Sequence, residues 1–430
     1  MRIAKKFVIV AVIVQVGLMV ASFFGGYFTR KSTSERTDLS SLEFIIDTYK
    51  NYYLEDSDDY VSIMGNSLLD RYSRYYTADE YEALKQDSVG SHAGIGVVFA
   101  GTEIYRVVGN SPAEKAGIQK GGKVTAIKAP DSGDYQSVSS SSEIISILND
   151  IQTGKELEIK ILYGEDEKEF ALKKSEYQET YVYYSDDSGS YRYSDDSGKM
   201  ELVKYDETPI AEFDTETAYI RYVEFNGLSN DLKGSAQQID NVMKKFKDDG
   251  KKNLIFDLRS NGGGYISLAQ KIAAHLIDSD SGTRQVIAKS IYKDGTQSAF
   301  YSGAVDYSSY GFNNIIFLAD INSASASELL MGAVLDYDKT DKVKVVLAGQ
   351  NTNDGYVYKT YGKGIMQSTF EHKGYGDAIS LTTAKIYWPL TDTCIHGTGI
   401  TKSLIGDKCI EAEYGEGDYV LAAALNQCIG

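Results

Sequence analysis

The sequence predicts a multidomain chain of mixed α/β (α+β) class: an N-terminal transmembrane helix, a small helical segment, a small β-sheet domain and a larger α/β domain. Three observations carry this. An apolar run occupies residues 7–28, short alternating runs broken by glycine and serine begin near Ser91, and strand-then-helix signals repeat beyond Thr217. A chain of 430 residues has room for two or three folded units with their connections. Its 42% hydrophobic and 24% charged residues are globular values, and a net charge of -17 argues against a surface built to neutralise phosphates. Nucleic acid is therefore not an expected partner.

Residues 7–28 follow Arg2, Lys5 and Lys6, and their only clearly polar members are Gln15 and Ser22. At ~1.5 Å per residue a helix of this length spans ~33 Å, enough to cross a bilayer. A cleaved signal peptide has a shorter apolar region, about 7–15 residues, and a small-x-small site that this stretch lacks in clean form. The reading is an uncleaved single-pass anchor in the cell membrane. Arg30, Lys31 and Arg36 nearly balance the N-terminal charges, so orientation is weakly signalled. A cytoplasmic N-tail with the remainder extracytoplasmic is the expectation.

Residues 37–88 show Leu42, Ile45, Ile46 and Tyr49, then Ile63, Leu68 and Leu69, at helical spacing. Residues 89–175 carry strand-like runs at 104–108 and 157–162. Between them Ile144, Ile147, Leu148 and Ile151 recur at i, i+3, i+4 and i+7, the apolar stripe of one helix over the sheet. Residues 176–208 turn polar and tyrosine-rich, with Tyr184-Ser-Asp-Asp-Ser-Gly189 repeated as Tyr193-Ser-Asp-Asp-Ser-Gly198. They read as an exposed acidic linker containing a duplicated turn or hairpin. In 209–430, strand signals at 218–223, 254–258 and 315–319 alternate with helical spacing at 268–277 and 328–335, an α/β pattern. Cys394, Cys409 and Cys428 all fall in the last 37 residues. They are too few for a disulfide framework and too widely spaced for a zinc site, leaving room for one late disulfide such as Cys394 with Cys409.

Two strand-to-helix turns stand out. Arg259-Ser-Asn-Gly-Gly-Gly264 allows backbone N–H groups to approach a ligand, and Asn322-Ser-Ala-Ser-Ala-Ser-Glu328 places small side chains where a helix begins. Both follow strands, at the sheet end where open α/β sheets place their sites. A serine there, Ser325, meets a helix N-terminus that favours an oxyanion, so it is a candidate nucleophile; the same string also reads as an ordinary N-cap. None of the four histidines stands in a recognisable motif. The other candidate base is Lys363 in Thr360-Tyr-Gly-Lys-Gly-Ile-Met-Gln367, equally readable as a solvated loop lysine. To serve as a base near pH 7 it must fall about three pH units from ~10.4, which costs ~4 kcal/mol of desolvation and requires a buried pocket.

From about 70 to 400 the chain resembles the carboxyl-terminal processing peptidases, or tail-specific proteases. The motifs that carry the resemblance are Leu69-Asp-Arg-Tyr-Ser73, Gly94-Ile-Gly-Val97, Asp257-Leu-Arg-Ser-Asn-Gly-Gly-Gly264 and Ser323-Ala-Ser-Ala-Ser-Glu328 with Thr360-Tyr-Gly-Lys-Gly364. The resemblance implies Ser325 as nucleophile, Lys363 as base and Gln367 as the residue that holds the lysine, with an oxyanion hole from the amides of Gly264 and Ala326. It implies that residues 89–175 form a PDZ-like domain of β-sandwich or barrel type, in which Gly94, Ile95, Gly96 and Val97 capture a free C-terminal carboxylate. It implies no metal and no cofactor, and protein or peptide substrates with free C-termini. The spacing between Ser325 and Lys363 is longer than is usual there, with extra residues around 336–342 and 351–359. Arg71 stands where proline is common, and Lys402-Ser403 replaces an Asp-Pro; neither is expected to touch the chemistry. The expected function is a membrane-anchored serine endopeptidase acting near or from substrate C-termini. The alternatives are a catalytically silent, membrane-tethered PDZ scaffold and a serine esterase, the latter disfavoured by the lack of a Gly-x-Ser-x-Gly turn. The sequence leaves open a homo-oligomer and the identity of the substrate.

Overall fold

The computed structural model describes residues 65–428 apart from 68, 131, 198, 354 and 414–417. These belong to one compact unit, Gly65–Gly430. The apolar run at 7–28 and the first part of the helical segment lie outside the described residues. Among the described residues no helix is long and apolar enough to cross a membrane.

The principal sheet is built around four parallel strands, β1 (Thr217–Tyr222), β2 (Asn253–Asp257), β3 (Asn314–Ala319) and β4 (Val343–Thr352), hydrogen-bonded in that order. A fifth, β5 (Cys409–Glu413), adds parallel to β4. Such strands are covered on both faces and so read as continuous apolar runs. Leu254 and Phe256 join one core with α1 (Ser235–Asp248), α2 (Ile266–Leu276) and α3 (Ala326–Tyr337). Ile255, between them, joins the opposite core with Val420, Leu421 and Ala424 of α4 (Tyr419–Cys428). The period of two thus divides one strand between two layers.

The sheet extends further than the sequence indicates. Val182–Asp186 pairs with β1, followed by Gly189–Ser194 and Glu201–Asp206, all antiparallel. Residues 176–208 are therefore not an exposed linker. The first Tyr-Ser-Asp-Asp-Ser-Gly copy closes a hairpin in which Asp186 opposes Gly189, and Tyr181, Tyr184 and Tyr193 are completely buried. Serine, aspartate and glutamate give the stretch its polar reading, but the tyrosines carry the packing face. The second sheet contains Arg74–Tyr76, Ala378–Tyr387, Arg284–Tyr292 and Gln297–Ala304 in that order, with Ile365–Glu371 also paired to Ala378–Tyr387. The region read as purely helical before residue 88 thus contributes a strand, followed by the helix Ala78–Asp87.

The small domain is an antiparallel sheet, ordered Val97–Ala100, Glu103–Val107, Lys123–Lys128, Glu156–Tyr163, Asp166–Lys173. The helix Ser141–Asp150, capped by Ser140, buries Ile144 against Ile104, Val124, Ile127 and Ile159. A two-stranded ribbon, Ser91–Gly94 with Ser175–Gln178, joins it to the rest. At its base His92 Nδ1 lies 2.7 Å from Asp87 Oδ1 and its Nε2 3.2 Å from Glu179 Oε2, while Arg106 meets Glu179 at 2.6 Å. Burial disfavours the imidazolium, but the Asp87 and Glu179 carboxylates prevail and raise the His92 pKa to about 9. Cys394, Cys409 and Cys428 are free thiols, so the late disulfide weighed from sequence does not form.

Candidate active site

The site lies where α3 leaves the principal sheet and the chain enters the second. The segment after β3 turns sharply at Ser325, whose φ of 56° and ψ of -113° are costly for a residue with a Cβ. The strain is sustained by a dense local network. Ser323 Oγ donates to Leu258 O at 2.8 Å, Ala324 N to Asn261 O at 3.0 Å and Ser327 Oγ to Asn261 O at 2.9 Å. The two turns singled out from sequence are therefore bonded directly to one another. Arg259 braces the glycine-rich turn by hydrogen bonds to Asp257, at the end of β2, and to Asp418, next to α4.

Glycine is required here for approach. A Cβ on Gly263, whose φ is 96°, would come within 2.6 Å of Ala324 O, 2.7 Å of Ser325 Cβ and 2.8 Å of Ala326 N. Gly264 forms a parallel bridge with Phe225, in which Gly263 O accepts from Phe225 N and Tyr265 N donates to Phe225 O. In such a bridge the central residue's own N–H points to the opposite side, so the Gly264 amide is turned away from Phe225. Ala326 N is the first amide of α3, one of the donors a helix leaves without an internal acceptor.

Lys363 sits between Gly362 and Gly364 in a segment pressed against residues 395–400. Gly397 N donates to Gly362 O, and a Cβ on Gly364 would approach His396 N to 2.7 Å. Burial lowers the Lys363 pKa, opposed by the Glu328 and Asp70 carboxylates. The Lys363 ammonium makes no hydrogen bond among the described residues; its Nζ lies over the Tyr72 ring, 5.4 Å from the centroid. The Gln367 amide donates to Thr382 Oγ1 at 3.1 Å, on the neighbouring strand.

One residue was not singled out from the sequence. Glu328 is completely buried, and its carboxylate accepts from Ser325 N (2.9 Å), Lys363 N (2.9 Å), Gly362 N (2.7 Å) and Thr360 Oγ1. It fastens the nucleophile turn to the lysine segment. Burial raises its pKa against the four donors that favour the ionised form. Its signal in the sequence was ambiguous, because an acid three residues into a helix reads as a capping box, and it does make that bond to the Ser325 amide. The residue also stands alone as a charge between Ala326 and Leu335, a helix otherwise apolar and buried all round.

Ser325, Ala326 and Lys363 line one narrow cleft, whose other walls include Ile266, Leu329, Ile365, Ile386 and Trp388. Among the described residues no cluster of His, Cys, Asp and Glu could hold a metal ion. Arg71, expected not to touch the chemistry, packs on two tyrosines near the lysine segment: its guanidinium lies 4.7 Å from the Tyr72 ring and 5.7 Å from that of Tyr361. The loop Gly94–Val97 opens the small sheet, with Ile95 O accepting from Ala113 N and Gly96 O from Val108 N. The strand that follows, Val97–Ala100, is the terminal strand of that sheet among the described residues. Of the extra residues beyond Ser325, those around 351–359 extend β4 into a hairpin with Gly355–Val357.

Residues 216–404 match the model of peptidase family S41. A protein of Staphylococcus haemolyticus (strain JCSC1435) named "Probable CtpA-like serine protease" is 27% identical over 404 residues, covering 90% of this chain and 69% of its own length. Its namesake in Staphylococcus aureus (strain bovine RF122 / ET3-1) is 27% identical over 385 residues, covering 85% of this chain and 64% of its own length. The crystal structure of a "Putative S41 protease" from Bacteroides fragilis NCTC 9343 superposes with a TM-score of 0.51 at 18% identity, covering 88% of this chain and 93% of that one, a likeness of fold. Over residues 216–404, then, this chain is similar to peptidase family S41, and over most of its length to proteins named as serine proteases.

Proposed function

We propose that the chain is a membrane-anchored serine endopeptidase in which Ser325 and Lys363 form the catalytic dyad. The observation that carries the reading is their shared cleft: a strained serine at a helix N-terminus, and a partly buried lysine whose amine has no hydrogen-bond partner among the described residues and a lowered pKa. The neutral Lys363 amine takes the Ser325 proton as Oγ attacks the substrate carbonyl carbon, and the carbonyl electrons move onto oxygen. The Gly264 and Ala326 amides receive that oxyanion. Collapse breaks the C–N bond, the leaving amine takes the proton from Lys363, and water hydrolyses the ester by the same route in reverse. The family resemblance assigns Gln367 to orient Lys363, but among the described residues its amide bonds Thr382 Oγ1 and not the lysine amine, so that role requires the side chain to turn when substrate binds. Apolar walls around the cleft favour an uncharged, apolar residue before the scissile bond.

The small domain, read as PDZ-like, would hold the substrate's C-terminal carboxylate on the backbone of Gly94, Ile95, Gly96 and Val97, the peptide pairing with the edge strand Val97–Ala100. The apolar run at 7–28 supports the anchor in the cell membrane, with the peptidase on the extracytoplasmic side. The names of the staphylococcal relatives support the serine protease reading. The test is cleavage of an unstructured protein, with free or amidated C-terminus, by the full-length chain beside Ser325→Ala and Lys363→Ala. Each substitution is expected to reduce turnover at least ~10³-fold, and amidation to weaken cleavage. Activity retained in Ser325→Ala would overturn the dyad, and an inactive wild type that binds free C-termini would identify a tethered scaffold.

A further inference from the structure

The Leu69-Asp-Arg-Tyr-Ser73 turn has no role in the scheme above, yet it reaches Lys363 across 291 positions of sequence. Arg74–Tyr76, immediately after it, pairs with Ala378–Tyr387 of the second sheet, and this pairing fixes the turn beside the lysine segment. Tyr72 is the one aromatic face within reach of the Lys363 amine among the described residues. Its hydroxyl accepts from Arg71 Nη2 at 2.5 Å and is 3.5 Å from the Tyr361 hydroxyl. Arg71, which has no ion pair among the described residues, lies over both rings. Tyr72 is thus held from outside and meets the base from inside.

We propose that Tyr72 is a positioning residue for Lys363: its ring holds the protonated amine beside the cleft and releases it toward Ser325 once the proton is lost. The physical basis is that an aromatic face attracts an ammonium but not a neutral amine. The charged form is held where it cannot act, and the neutral form, which alone can accept the serine proton, loses that hold. The other groups facing Lys363 are the Glu328 and Asp70 carboxylates, which favour the ammonium, the Arg71 guanidinium and Tyr361 hydroxyl beside Tyr72, and His396 packed on Gly364. The meaning of this for catalysis rests on Lys363 being the base.

The experiment is a 13C titration of the Lys363 side chain in the full-length protein, assigned by Lys363→Ala, in the wild type, Tyr72→Phe and Tyr72→Leu. Leucine keeps the bulk and the desolvation but removes the π face, so the midpoint should fall by roughly half a pH unit. Phenylalanine keeps the face and should leave the midpoint in place. An unmoved midpoint in Tyr72→Leu, or an equal fall in both variants, overturns the proposal. In the same variants the acid limb of kcat/KM for peptide cleavage should move with the midpoint. A midpoint that shifts as expected in a protein with no peptidase activity would sustain this inference while defeating the proposed function.

Discussion

The nucleophile turn and the lysine segment meet in one cleft but are held in opposite ways. Around Ser325 the segment is tied by named bonds to Leu258, Asn261 and Glu328, and Gly263 lies too near for a Cβ to fit between them. At Lys363 the backbone is equally fixed, through its N–H to Glu328, while the side chain ends in an amine without a hydrogen bond among the described residues. The difference suits the roles proposed for each. A nucleophile needs placement within a fraction of an ångström. A base needs a lowered pKa, and every hydrogen bond to a carboxylate would raise it.

Four substitutions break or sharpen this comparison, each read by urea unfolding beside a cleavage assay. Glu328→Ala should have the largest effect, a loss of about 3–5 kcal/mol with activity abolished, because it leaves three amides and a hydroxyl facing a buried void. Gly263→Ala should cost about 2–3 kcal/mol and reduce kcat/KM ~10²-fold, since its Cβ would meet backbone atoms on the nucleophile side. His92→Gln, at the base of the small domain, should cost about 1–2 kcal/mol near pH 6. The folded-state pKa of His92 is raised to about 9 from 6.5, so its contribution is complete below pH 6.5 and disappears as pH rises through 9. The deficit should accordingly vanish at alkaline pH. Lys363→Met should have the smallest effect on stability and the opposite sign, a gain of about 1 kcal/mol or less near neutral pH with activity lost. Because burial lowers the Lys363 pKa, the native state resists its charge, and the gain should fade as pH climbs past the ordinary lysine range.

Much of the architecture was legible because it rests on apolar periodicity. The strands at 253–257 and 314–319 are short apolar runs whose alternate residues serve two cores, and runs of that kind are hard to mistake. The hairpins at 182–206 were misread because their buried face is made of tyrosine set among serine and aspartate. In the site, Ser325 was visible from its small-residue string at a helix start, whereas Lys363 required the family resemblance, a lone lysine between glycines being otherwise unremarkable. The places of Glu328 and Tyr72 beside the lysine segment were missed for one reason: each has its partners distant in sequence. No local pattern announces that an acid at a helix start will bind a segment 34 residues later, or that a tyrosine at 72 will face a lysine at 363.

The shared Glu328 carboxylate also bears on the life of the chain before it is mature. Its partners lie at the start of α3 and on the segment leading into the second sheet, so the cleft is complete only when both are in place. Such contacts stabilise the chain only after the loop-closure entropy between the two segments has been met. A nascent or partly folded copy therefore carries the serine and the lysine without a site, and the machinery to cut polypeptides is completed only after this polypeptide has hidden its own.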